Sequence, residues 1–205
     1  MQTLDILESL NQRLFLMLNA SASTSPWKVE FATVSADYAI YIIPVILVVL
    51  WLRGNDQTRG GLVMAILVAE LALFVNQLIP IWWFHPRPFM LPIGKTFVEH
   101  AADSSFPSDQ LTFILGVAFA LGYWTRLRRT TFIIMGIGML VAWARIFIGV
   151  HFPFDMIGSA LIAAIVLVAL IPANEAIQKH LTAKVAIPLY QKLFAPVIKR
   201  GWCRY

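Results

Sequence analysis

The chain has 205 residues, 59% of them hydrophobic and only 13% charged, with a formal net charge of +5. An ordinary soluble domain carries roughly 25% charged residues, so this composition excludes one and identifies a membrane protein. The basic residues sit between and after the apolar runs, so the positive charge reports membrane topology and no nucleic-acid partner is expected.

The first stretch interleaves Leu4, Ile6, Leu7, Leu10, Leu14, Leu16 and Leu18 with Asp5, Glu8, Asn11, Gln12 and Arg13. That pattern predicts an amphipathic helix lying in the membrane interface, within an N-terminal region of residues 1–26. It lacks the basic start and unbroken apolar core of a secretory signal. Five apolar runs follow: Tyr38 to Leu52, extendable back to Trp27; Gly61 to Trp83; Leu111 to Trp124; Thr131 to Val150; and Met156 to Ala173. A helix needs about 20 mainly apolar residues to cross a bilayer core of about 30 Å, and with flanking residues all five qualify. The expected fold is an all-α integral membrane protein, one domain over residues 1–205. It has five transmembrane helices, the N-terminal helix as a candidate sixth, and a basic tail over 174–205.

With five spans, Arg53, Arg59, Arg126, Arg128, Arg129, Lys179, Lys184, Lys192, Lys199, Arg200 and Arg204 share one side, eleven of the 16 Lys and Arg residues. The positive-inside rule makes that side cytoplasmic. Residues 84–106 and 147–154 then face outward. The single cysteine, Cys203, lies in the tail and has no partner for an internal disulfide.

The outward segments hold the candidate chemistry. Arg145, near the end of the fourth span, needs an anionic partner, because an unpaired guanidinium at that depth costs several kcal/mol. Its fork of donors suits phosphate oxygens. Arg87 stands between Pro86 and Pro88 on restricted backbone, which fixes a second guanidinium. Ser108 follows Pro107 and directly precedes the third span, so it reads as an N-cap or first-turn residue beside free backbone N–H groups. His151 and Asp155 are four residues apart, and on a helix they share a face. A carboxylate there takes the proton of one ring nitrogen and leaves the other as a free lone pair, which makes a histidine nucleophile. Singly, each residue has a plainer reading: arginines snorkel to headgroups, and serine and aspartate cap many helices without a ligand. No metal is expected, since His85 and His100 lack ligand spacing and there is no cysteine cluster.

At Arg87-Pro88, Pro107-Ser108, Arg145, His151 and Asp155 the chain resembles the type 2 phosphatidic acid phosphatase family. The family pattern is Lys, six residues, Arg-Pro; then Pro-Ser-Gly-His; then Ser-Arg, five residues, His, three residues, Asp. A finer resemblance is to the bacterial undecaprenyl pyrophosphate phosphatases of this family. It rests on His85-Pro86-Arg87-Pro88-Phe89, on His100-Ala101-Ala102-Asp103 with Ser105-Phe106-Pro107-Ser108-Asp109, and on Gly149 to Met156. The resemblance implies a cofactor-free enzyme acting on a lipid pyrophosphate among membrane lipids. Arg87, Ser108, Asp109 and Arg145 would bind the phosphate, His151 would attack phosphorus, and Asp155 would orient His151.

Three positions depart from the pattern. Pro80 stands in place of the family lysine, often missing in the undecaprenyl branch. Ala144 replaces the serine before Arg145, removing a hydroxyl contact, and Gln110 replaces the histidine that protonates the leaving oxygen. Glutamine donates a hydrogen bond but delivers no proton, and general-acid catalysis is typically worth about 10²- to 10⁴-fold. A lipid monophosphate leaving from a pyrophosphate is a weaker base than an alkoxide and needs that proton less. Gln110 is therefore compatible with a pyrophosphate-selective enzyme, with a chain inactivated at this position, or with a silent binder of lipid pyrophosphate. His85 or His100 is a candidate substitute acid. Phosphatidylglycerol phosphate, phosphatidic acid and phosphate transfer to lipid A are alternative chemistries.

Overall fold

The computed structural model describes residues 2–204, so Met1 and Tyr205, the ends of the expected domain, lie outside it. Among the described residues the chain is helical, without strands. Helix α1 covers Gln2–Leu18, α2 Pro26–Tyr38, α3 Ile42–Arg53, α4 Asp56–Trp82, α5 Asp109–Trp124, α6 Arg128–Phe147 and α7 Pro153–Leu170. A one-turn 3₁₀ segment, Ala39–Tyr41, joins α2 to α3.

Local chemistry fixes the ends. Asn55 caps α4, its side-chain oxygen accepting from the Thr58 N–H at 2.9 Å. Pro153 opens α7 at its first turn, where a missing N–H costs nothing. The segment between, residues 83–108, leaves the end of α4 and returns to the start of α5, so the C-terminal ends of α4 and α6 and the N-terminal ends of α5 and α7 meet at one end of the bundle.

Among the described residues four helical stretches of 18 residues or more are apolar enough to cross a membrane: Pro26–Arg53, Asp56–Trp82, Arg128–Phe147 and Pro153–Leu170. The third run expected to span, now α5, has only 16 residues. At 1.5 Å per residue it is about 24 Å long, short of a full hydrocarbon core. It packs against α4, α6 and α7, with Ile114, Val117, Ala118 and Leu121 buried against Val68, Ala69, Ala72, Val141 and Ile162. The chain is a multi-pass membrane protein with this short helix at its centre.

Helix α1 docks through Phe15, whose ring meets that of Phe152 edge-on at 5.2 Å, and through Asn11, whose Oδ1 accepts from the Phe154 N–H at 3.0 Å. Ile6, Leu10, Leu16 and Met17 remain exposed. At the other end of the bundle the tail folds back as short helical pieces. Arg59, expected only as a topogenic charge, is completely buried there. It donates to the carbonyls of Trp51 (3.2 Å) and Arg204 (2.7 Å) and lies over the Tyr190 ring, tying the tail to the bundle.

Candidate active site

The four converging helix ends enclose a cavity of about 480 Å³ whose lining includes Arg87, Asp103, Gln110, Arg145, His100 and His151. Arg87, Arg145 and His151 are nearly inaccessible and Asp155 is completely so.

Arg87 is held from three directions. Its Nε donates to Asp103 Oδ1 at 2.6 Å, and its Nη1 donates to the Val150 carbonyl at 3.0 Å and to His151 Nε2 at 3.2 Å. A guanidinium only donates, so Nε2 of His151 presents a lone pair and the ring proton is on Nδ1. That proton faces Asp155 Oδ2 at 3.2 Å. The same oxygen accepts from the Ser105 hydroxyl and, at 2.7 Å, from the Phe152 N–H. Burial, and next the nearby Arg145 charge, push the His151 pKa down to about 4. The ring is therefore neutral at physiological pH.

The route to the His151–Asp155 pair differs from the helical face expected. His151 lies before α7, and Phe152 is the N-cap residue with extended ψ of 157° because Pro153 follows it. Asp155 sits at the third helical position and reaches back to the Phe152 N–H, one half of a capping box. His151 joins that cap from outside.

Arg145 Nη1 donates to Gln110 Oε1 at 3.1 Å, and Nη2 donates to His100 Nε2 at 3.1 Å. The Asp109 carboxylate accepts from Asn76 (2.9 Å) and Gln77 (3.0 Å), both on α4. Ser108 is the N-cap of α5, yet its hydroxyl is completely buried without a partner and does not border the cavity. Its N–H is bound to Ser159 Oγ at 3.0 Å, so the free donors at this helix start begin with Asp109.

Two other expectations shift. Ala144 packs in an apolar cluster with Ala32, Ala36 and Ile148, so the missing serine hydroxyl removes nothing from the cavity wall. The two candidate acids also separate. His85 is buried behind Asp155, with Nε2 3.3 Å from Glu8 Oε2 and Nδ1 3.7 Å from Asp155 Oδ1. It borders a different, mainly apolar cavity of about 510 Å³. His100 alone of the two borders the cavity that holds Gln110. No group of three or more His, Cys, Asp or Glu side chains positioned to hold a metal occurs among the described residues.

The structure adds Asp37, Asn76, Gln77 and Asp103 to the cavity wall. The signal for the first three was present: Asp37 falls in the extension of the first apolar run, and the two amides interrupt the second. Polar groups within spans mark functional sites.

Residues 60–178 match the model of the PAP2 superfamily. Over 199 residues, 97% of this chain and 100% of the relative, it is 35% identical to the putative undecaprenyl-diphosphatase YbjG of Escherichia coli strain K12. It is 37% identical over 130 residues to the undecaprenyl-diphosphatase BcrC of Bacillus subtilis strain 168, spanning 63% of this chain and 66% of that one. Among solved structures, Aquifex aeolicus LpxE matches with a TM-score of 0.59 and 25% identity over 78% of this chain and 93% of that one. A transmembrane PAP2-type phosphatidylglycerolphosphate phosphatase from Bacillus subtilis shares the fold, with a TM-score of 0.62 and 19% identity over 84% and 88%. With more than half of its length matched by the family model, the chain belongs to the PAP2 superfamily.

Proposed function

We propose that the chain is a lipid pyrophosphate phosphatase that converts undecaprenyl pyrophosphate to undecaprenyl phosphate and phosphate through a phosphohistidine on His151. The observation that carries this reading is the His151 Nε2 lone pair, aimed at the Arg87 guanidinium 3.2 Å away inside a cavity that also holds Arg145. The names of the two undecaprenyl-diphosphatase relatives supply the substrate class.

In this mechanism the terminal phosphate lies between Arg87 and Arg145, and the backbone N–H of Asp109 at the α5 start contributes a further donor. His151 Nε2 attacks phosphorus as the bond to the bridging oxygen breaks. Asp155 holds the Nδ1 proton and steadies the imidazolium that develops, while Ser105 fixes the carboxylate. Water then hydrolyses the phosphohistidine. Two guanidiniums placed where charge spreads over the phosphoryl oxygens provide the electrostatic stabilisation that dominates such reactions. Gln110 holds Arg145 through Oε1, and its amide N–H groups stay free to donate. Lacking a proton to transfer, it favours the weakly basic lipid phosphate leaving group over an alkoxide.

The bundle end that carries the site has Arg13, Lys28, Arg87, Lys95 and Arg145, against eleven of the 16 cations on the other end and its tail. The positive-inside rule supports a bacterial cytoplasmic membrane location with the site facing the periplasm or outside and α1 lying in that interface.

Phosphate release from prenyl pyrophosphate and prenyl monophosphate tests the reading, measured with purified protein and with intact spheroplasts given a short-chain substrate. The pyrophosphate should be preferred, and spheroplasts should release phosphate outside. His151→Ala should abolish all release; undiminished release by that variant rejects the mechanism.

A further inference from the structure

We propose that His100 is the proton donor to the leaving oxygen, supplying from the cavity rim what Gln110 cannot supply from the start of α5. The inference rests on His151 being the nucleophile for a lipid pyrophosphate. Of the chain's four histidines, His151 is then engaged in attack. His85 is held by Glu8 beside the other cavity, and His180 belongs to the tail at the opposite end of the bundle. Only His100 remains within the site.

Its placement matches the task. Gln110, which occupies the position of the family acid, and His100 contact the same guanidinium, each at 3.1 Å from a different Nη of Arg145. The nucleophile instead contacts Arg87. The two arginines thus mark the two ends of the reaction, and His100 stands at the end where the leaving group departs. Its Nδ1 lies 3.2 Å from the Ala101 carbonyl and carries the proton toward it, so Nε2 is the nitrogen that gains or loses a proton. Three carboxylates share the wall, but Asp103 is paired with Arg87 and Asp109 is held by Asn76 and Gln77. The third carboxylate is Asp37, on α2.

Burial and the Arg87 charge keep the His100 pKa below its ordinary value. A bound phosphate replaces Gln110 and His100 as acceptors on Arg145 and offsets both guanidinium charges, so the released ring takes up a proton on Nε2. The His151 Nε2–P bond then forms as the P–O bond breaks, and the His100 proton passes to the departing oxygen. In the second step water adds to phosphorus, the N–P bond breaks, and neutral His100 accepts the proton of that water.

The test is phosphate release from a prenyl pyrophosphate by the purified full chain, His100→Ala and the double variant His100→Ala with Gln110→His. His100→Ala should lose about 10²-fold in kcat, the low end for general-acid catalysis because this leaving group is weakly basic. Added imidazole should restore part of the loss, and the double variant should recover to within about tenfold of the unsubstituted rate. An undiminished His100→Ala variant overturns the inference while leaving the proposed function standing. So does a loss that neither imidazole nor Gln110→His repairs, since His100 would then only support Arg145. Silence of the unsubstituted chain overturns both.

Discussion

His151 owes its position to constraints on both sides. Gly149, two residues before it, has φ of +87°, and a Cβ there would collide with the Lys95 carbonyl. Pro153, two residues after it, forces the extended Phe152 that lets Asp155 turn back onto the loop. Between them the ring is buried and neutral. In the unliganded protein, nitrogen-15 NMR of the ring should show a proton on Nδ1 and a bare Nε2 down to a pH of about 4. Titration near the ordinary 6.5 would contradict the arrangement. The sign for stability follows from the same shift. Between pH 6.5 and about 4 the unfolded chain takes up a proton that folded His151 does not, so stability falls as pH drops through that window. The identities of the paired residues were legible from spacing. The cap that joins them was not, because a helix reading of residues 151–155 hides the break that Pro153 imposes.

At the scale of elements, the site depends on how closely α4 and α5 approach. Asn76 and Gln77 reach Asp109 only because small residues line the crossing. A Cβ at Gly116 would lie 2.9 Å from the Ala69 Cα, and Ala65, Ala69 and Ala72 are completely buried. Gly116→Leu should therefore destabilise the protein by about 1–3 kcal/mol, read as a lower melting temperature in detergent, and should reduce phosphate release by displacing the α5 start. An unchanged melting temperature would mean that the helices separate at no cost. Apolar runs in the sequence located the helices from α2 to α7. They did not reveal that α5, with 16 residues, lies at the centre of the bundle, because hydropathy measures burial and lipid contact alike, and α5 is apolar through packing. Nor did they reveal that Ser108, although it is the N-cap residue of α5, makes no side-chain cap bond and keeps its buried hydroxyl out of the cavity wall. The backbone N–H and carbonyl of Ser108 are bound instead by Ser159 Oγ, which is remote in sequence.

Across the whole molecule, the two ends are built for different tasks. One gathers α4, α5, α6 and α7 around a cavity walled by two guanidiniums. The other closes with basic loops and a tail fastened by buried Arg59. This segregation was readable as a count of cations by side, whereas the burial of Arg59 was not, since a charge count is blind to what each charge touches. In the proposed mechanism His151 carries the transferred phosphate. Undecaprenyl pyrophosphate labelled with phosphorus-32 in its terminal phosphate, mixed with purified protein and quenched during turnover, tests it most directly. Acid-labile, base-stable label should appear on the peptide containing His151 and be lost with His151→Ala. Phosphate release without any label on His151 would contradict it.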